Sequence, residues 1–184
     1  MRMQGKYVKL NNGLDVVIRS LIPKEAKQYL QYLLKVYGES SYVGLTSEEV
    51  GSITVKKIKK QIAEYEKHGR NILLAAFGRD GKIIADCKLT LISENDRENH
   101  RANVLISVYK KLWNNGAGSA LMNTALDYAA KNGFKQFEAD IMPDNYHALF
   151  LLEKFGFKAV GLLPRCRKDN KGGYYDYLRI IKFM

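Results

Sequence analysis

Gly116-Ala117-Gly118-Ser119 is the stretch whose residue types and spacing most directly suggest chemistry. It stands between a short aliphatic run, Val104 to Val108, and a helix-like pattern that continues to about Ala130. Strand, loop, small-residue turn and helix in that order present free backbone N–H groups and a helix N-terminus to an anion, usually a phosphate. Gly116 and Gly118 have no Cβ, so a phosphate can approach the main chain closely there. The same two glycines equally serve tight helix packing, and the spacing alone leaves both readings open.

The elements around this unit follow from periodicity and punctuation. Lys6 to Leu10 and Leu14 to Arg19 read as strands joined through Asn11-Asn12-Gly13, whose residues tolerate positive φ. Pro23 suits a first helical position, and Ala26, Tyr29, Leu30, Leu33 and Leu34 recur behind it at helical spacing, with Gly38 as the stop. Glu39 to Gly51 has no period and reads as a loop or a broken short helix. Thr54 caps a helix carried by Ile58, Ile62 and Tyr65 and ended by Gly69. Asn71 to Phe77 and Lys82 to Ser93 are strands around the turn Gly78 to Gly81, and Glu94 to Arg101 is a polar exposed turn.

The helix after Gly118 carries an apolar stripe through Leu121, Ala125 and Tyr128 and closes at Gly133. Phe134 to Met142 is a strand, Pro143-Asp144-Asn145 a turn whose Asp or Asn caps the next helix, and Gly156 ends that helix. Phe157 to Leu163 is a strand, Pro164 to Gly173 a basic loop, and Tyr174 to Phe183 the last strand. The crossover from the Val104 strand to the Phe134 strand requires a parallel, right-handed pair. The expected class is α/β (α+β): a mixed, mostly antiparallel sheet with helices on both faces. Residues 1–184 are expected to form one domain, since no linker, repeat or low-complexity run divides them.

No stretch approaches the ~20 apolar residues that span a bilayer, so no membrane partner is expected. Two cysteines, Cys87 and Cys166, are too few for a disulfide scaffold, and a cytoplasmic address is the default. The net charge of +11 favours anionic partners: nucleic acid, anionic lipid, an acidic protein or a polyphosphate cofactor. A basic surface with no specific partner is the competing reading.

These elements and motifs resemble the GNAT superfamily of acetyl-CoA-dependent N-acetyltransferases over nearly the whole chain. The family's phosphate loop, Gln/Arg-x-x-Gly-x-Gly/Ala, appears as Trp113-Asn114-Asn115-Gly116-Ala117-Gly118. Its second block, Asn-x-x-Ala-x-x-Leu-Tyr-Glu-Lys-x-Gly-Phe, appears from Asn145 to Phe157. The resemblance implies that the Val104 strand splays from the Phe134 strand, so that Ile106, Ser107 and Val108 offer free main chain to the pantetheine arm of acetyl-CoA. It implies a pyrophosphate on the N–H groups of Asn114, Asn115, Gly116, Ala117, Gly118 and Ser119, and a pantetheine contact or turn-fixing role for Asn145. Trp113, in place of Arg or Gln, is expected as a ligand contact or a half-buried lid.

Two positions depart from the family's pattern. Leu152 stands where relatives carry the Tyr that protonates the leaving thiolate, and leucine donates no proton. Ala102 stands where they often carry a basic Glu. The substitute bases are His100, Glu98 and Glu94 in the polar turn and Glu138 and Asp140 in the next strand. Imidazole titrates nearest neutrality of these groups, and a solitary surface His is the competing reading for His100. Tyr174, Tyr175 and Tyr177 alternate in the last strand, as sheet packing or as the replacement acid, with Tyr175 a catalytic candidate.

The expected activity is acetyl transfer to a primary amine of a small molecule or peptide. The alternative is a weakly catalytic CoA-binding or nucleic-acid-binding module, with nucleic acid the less favoured partner because no aromatic-plus-basic motif is present. A homodimer is an open expectation, and no metal is expected. The resemblance implies an acceptor pocket between Glu39 to Gly51 (Glu39, Glu48, Glu49) and Pro164 to Gly173 (Arg165, Arg167, Lys168, Lys171).

Overall fold

A computed structural model describes residues 2–168 and 172–184. One eight-stranded mixed sheet runs through it in the order β1-β2-β3-β4-β5-β6-β8-β7. The strands are β1 (Lys6–Lys9), β2 (Asp15–Ser20), β3 (Ile72–Phe77), β4 (Ile83–Leu91), β5 (Arg101–Val108), β6 (Gln136–Ile141), β7 (Lys158–Lys168) and β8 (Tyr174–Phe183). The helices are α1 (Ala26–Glu39), α2 (Ser47–Gly51), α3 (Val55–Lys67), α4 (Ala117–Lys131) and α5 (Tyr146–Lys154). Every strand pair is antiparallel except β5–β6.

The sheet has a core on each face, and β3 shows why. All six of its residues are buried. Ile72, Leu74 and Ala76 join the cluster under α4, while Leu73, Ala75 and Phe77 join the one under α1 and α3. Side chains alternate across a strand, so a continuous apolar run needs cover on both sides. Leu121, Ala125, Tyr128 and Ala129 of α4 supply one cover. Tyr29, Tyr32, Leu33 and Val36 of α1 with Ile58 and Ile62 of α3 supply the other.

The caps fall where residue chemistry puts them. The Thr54 side chain accepts from Lys57 N–H at 3.2 Å, and the Asn145 side chain accepts from Ala148 N–H at 3.3 Å. Gly69, Gly133 and Gly156 have positive φ at the ends of α3, α4 and α5.

Two expectations are corrected. Helix α1 runs through Gly38 to Glu39, and its buried stripe passes through Tyr32 and Val36 while Leu34 is exposed. Gly38 is not among the positive-φ glycines, so nothing in the backbone stops the helix there. Pro164 to Lys168 is strand, not loop: β7 continues through it. Proline is tolerated because β7 is the outermost strand, and the register shifts between Leu163 and Arg167 absorb the missing donor. Lys171 lies outside the described residues. The stretch after α1 contains the short helix α2, capped by a reciprocal Thr46–Glu49 box.

Candidate functional site

The parallel β5–β6 pairing lasts only from Arg101↔Gln136 to Asn103↔Glu138. Beyond it β5 stays paired to β4 up to Val108↔Ala85, while β6 stays paired to β8. The two strands therefore diverge from Val104 onward. Two bonds set the phase of β5: Arg101 C=O accepts from Ile92 N–H and Tyr109 N–H donates to Ile84 C=O, both at 3.1 Å. Main-chain direction alternates along an antiparallel strand, so the odd-numbered residues bond β4. The C=O of Val104 and the N–H and C=O groups of Ile106 and Val108 point the other way, into the gap facing β6, whereas Ser107, expected to offer free main chain, is paired with β4.

The gap opens into a cleft of about 590 Å³. At its mouth stands the N-terminus of α4. Gly116 is the N-cap, with φ 89° and no side chain to cap with, and no acidic residue occupies the first turn. The first helical bond is Ala120 N–H to Gly116 C=O at 2.9 Å. The N–H groups of Ala117, Gly118 and Ser119 lack intrahelical partners by construction, and all three residues line the cleft. The positive end of a 15-residue helix thus faces the same space.

The two glycines have different jobs. Gly116 supplies a left-handed turn that a side chain would strain. At Gly118 a Cβ would lie 3.0 Å from Leu151 Cδ2, so that glycine lets α4 pack against α5. Anion access and helix packing, both open from the spacing, are thus divided between them.

Trp113 is half-buried and works as a clasp. Its indole N–H donates to Val108 C=O at 2.9 Å, and its ring lies 4.8 Å from the His147 ring. It occupies the last cleft-facing carbonyl of β5 and leaves the Val108 N–H. The Asn11 N–H donates to Asn115 C=O at 3.0 Å, so the β1–β2 turn props the loop from behind. Across the mouth, Tyr42 O–H donates to Asp144 C=O at 3.2 Å.

Ten of the expected donor-site residues line this one cleft: Ile106, Ser107, Val108, Trp113, Asn114, Gly116, Ala117, Gly118, Ser119 and Asn145. Asn115 holds the loop in place through its carbonyl, and its amide donates to Trp113 C=O at 3.1 Å. Asn11, Tyr42 and His147 also reach the cleft, and sequence reasoning missed them. Their one signal was position, His147 lying two residues past Asn145 in the second block.

The expected catalytic residues do not gather there. Glu98 pairs with Arg101 at 3.5 Å at the closed end of the fork, and Arg101 itself is six residues and roughly 20 Å along β5 from Ser107. His100 belongs to the same turn, its C=O accepting from Lys135 and Gln136 N–H. Glu94 pairs with His68 at 2.6 Å. Glu138 is held by Arg101 at 2.6 Å. Asp140 reaches the cleft but takes two bonds from Arg179, at 2.8 and 2.7 Å. Tyr174 and Tyr175 line a separate depression with Met142, Pro143, Asp144 and Asp176. Of the three tyrosines, Tyr177 faces the main cleft. Leu152 is buried on the cleft wall, with no proton to give.

Comparison with known proteins gives a consistent picture. Residues 31–157 match the model of the Acetyltransferase (GNAT) family. An acetyltransferase of the GNAT family from Streptococcus pneumoniae superposes with TM-score 0.85 at 25% identity, over 92% of this chain and 99% of that one. A ribosomal-protein-alanine N-acetyltransferase from Brucella melitensis gives TM-score 0.80 at 16% identity, over 91% and 99%. A GNAT superfamily phosphinothricin acetyltransferase from Sinorhizobium meliloti, solved with AcCoA, gives 0.79 at 14%, over 92% and 88%.

Proposed function

The chain belongs to the GNAT acetyltransferase family, and from that premise we propose that it transfers the acetyl group of acetyl-CoA to a primary amine of a small molecule or peptide. The observation that carries this reading is the unpaired stretch of β5 ending at the uncapped start of α4. An amide-rich arm finds strand-like partners at Ile106 and Val108, and a pyrophosphate finds converging N–H groups at Ala117, Gly118 and Ser119. The AcCoA bound by the Sinorhizobium meliloti enzyme, which shares this fold, supports the same donor here.

Bound acetyl-CoA supplies an acetyl thioester for attack by a neutral amine. The chain's residues do the rest. The Val108 N–H, free because Trp113 binds only the carbonyl of that residue, donates to the oxygen on which negative charge grows. Tyr177, a phenol on the cleft wall, takes the part of the proton donor that Leu152 cannot be. Asp140 and Glu39, both on the cleft wall, are engaged by Arg179 and by the Lys110 N–H at 2.8 Å. Positioning of the two reactants supplies much of the rate.

Titration calorimetry with acetyl-CoA, followed by thiol release across an amine panel and product mass, tests the reading. Saturable binding and an acceptor that gains one acetyl group are expected. No heat at donor concentrations on the order of millimolar sinks it. Leu152 favours one rival, a donor-binding module without turnover, and that rival predicts binding with no thiol release from any amine.

A further inference from the structure

Behind the cleft strand lies a buried acid that the transfer chemistry does not use. Asp86, on β4, is completely buried between α1 and β5. Its Oδ2 lies 2.7 Å from Tyr29 Oη and its Oδ1 lies 3.0 Å from Tyr32 Oη. Tyr32 Oη lies 2.8 Å from the carbonyl oxygen of Ser107.

Counting hydrogens along this chain bears on its charge. The Tyr29 hydrogen fills the contact to Oδ2. Tyr32 has one hydrogen and, if Asp86 is ionised, two acceptors competing for it. The Ser107 carbonyl has none to give, and its contact is the shorter, so it takes the Tyr32 hydrogen. The contact between Tyr32 and Oδ1 then lacks a hydrogen unless the carboxyl supplies it.

We propose that Asp86 is a neutral carboxylic acid that donates from Oδ1 to Tyr32 Oη, with Tyr32 donating in turn to the Ser107 carbonyl. Asp86 is thereby the positioning residue for the cleft end of β5. Ser107 sits between Ile106 and Val108, the residues whose main chain faces the gap, so a second bond on its carbonyl, beside the ladder to β4, stiffens the plane of the neighbouring amides.

The surroundings support a neutral acid. Burial pushes the Asp86 carboxyl up, and Lys88 is the main opposing influence, ahead of its contacts with Tyr29, Tyr32 and Ser107. Lys88 is only partly buried and lies over the Tyr29 ring at 5.9 Å. Lys35, on α1, is directed to the Tyr109 ring at 4.7 Å. The other neighbours that sense Asp86 are neutral: Tyr37, held up to about 12 by burial, Tyr65 and Cys87. Tyr29 and Tyr32 are raised by burial and keep their protons.

Infrared difference spectra between the unmodified protein and Asp86→Asn, near neutral pH, test the charge. A protonated-carboxyl stretch belonging to Asp86 is expected; carboxylate bands alone overturn the proposal. If Asp86→Asn does not fold, the Asp86 carboxyl carbon shift in isotope-labelled unmodified protein gives the same answer, protonated or ionised. A second arm rests on the acetyl-CoA reading above. Tyr32→Phe is expected to weaken acetyl-CoA binding by about threefold to tenfold, the loss of one buried hydrogen bond. Asp86→Asn keeps one donor and one acceptor and should recover what Asp86→Leu loses. Equal loss in both variants overturns the positioning role. Absence of acetyl-CoA binding in the unmodified protein is a failure of the donor reading, and the spectrum stands apart from it.

Discussion

The two residues that carry the most weight are a phenol and a carboxyl, and each is testable by removing little more than one proton. Tyr177→Phe keeps the ring on the cleft wall and removes the donor. Turnover should fall by about 10²–10⁴-fold, the usual worth of a positioned acid, with the melting temperature unchanged. Tyr175→Phe should leave turnover alone, because Tyr175 belongs to the other depression. Thiol-release rates for the two variants separate the positions that the alternating tyrosines left equivalent. For Asp86 the readout is pH. Its folded value lies above the unfolded carboxyl, near ~3.9, so the folded state binds the extra proton in the interval between the two. Stability from this group is therefore greatest below the unfolded value and falls as pH rises through the folded one. Asp86→Asn has no such loss. Urea midpoints for the variant should gain on the parent as pH climbs from about 4 toward neutrality. Parallel midpoint curves for the two proteins would mean that Asp86 titrates as it does unfolded.

At the level of elements, the loop before α4 and the cap of α3 provide a matched comparison. Trp113→Phe removes the indole bond to Val108 C=O, and Thr54→Ala removes the cap bond to Lys57 N–H. Each should cost on the order of 1 kcal/mol of stability by urea unfolding. Only Trp113→Phe should also weaken acetyl-CoA binding, because only it releases the end of β5. Equal donor affinity in the two variants would remove the clasp from the site. These elements also show what the sequence carries on its face. Thr54, Asn145, Gly69 and Gly133 act through their nearest neighbours, so their roles were readable from type and spacing alone. The strand–loop–helix order around Gly116 was readable for the same reason. The tether from Tyr42 to Asp144 spans 102 residues and has no local signature. Pro164 argues against a strand by itself, and only its place on the outermost β7 makes it acceptable. Gly38 resembles a helix stop until Tyr32 and Val36 bury the face that carries α1 past it. Gly118 fits a phosphate loop, yet its neighbour Leu151 comes from another helix.

At the scale of the whole molecule, the cleft draws on distant parts of the chain, Asn11, Tyr42, Ser107, Asn145 and Tyr177, and its fork is pinned at the closed end by charge. Arg101 and Arg179 both reach Glu138, and Arg179 also grips Asp140, so β5, β6 and β8 are stitched together where the first two part. Many carboxylates are matched in this way: Asp15 with Arg79, Glu25 with Arg19, Glu66 with Arg2, Asp127 with Lys6. The excess of 11 positive charges is thus left to act at long range. A polyanionic donor approaching such a surface is steered toward it, and the steering is screened once the Debye length shrinks from about 30 Å at 0.01 M salt to about 3 Å at 1 M. Contacts inside the cleft, between main-chain amides and a partly desolvated ligand, are screened far less. The acetyl-CoA association rate should therefore drop steeply with added salt while the dissociation rate changes little, which stopped-flow mixing across a salt series measures directly. A flat association rate would show that the surface charge plays no part in capturing the donor. The RNA-binding alternative makes a different demand, because counterion release would weaken the equilibrium affinity itself along a log–log line in salt.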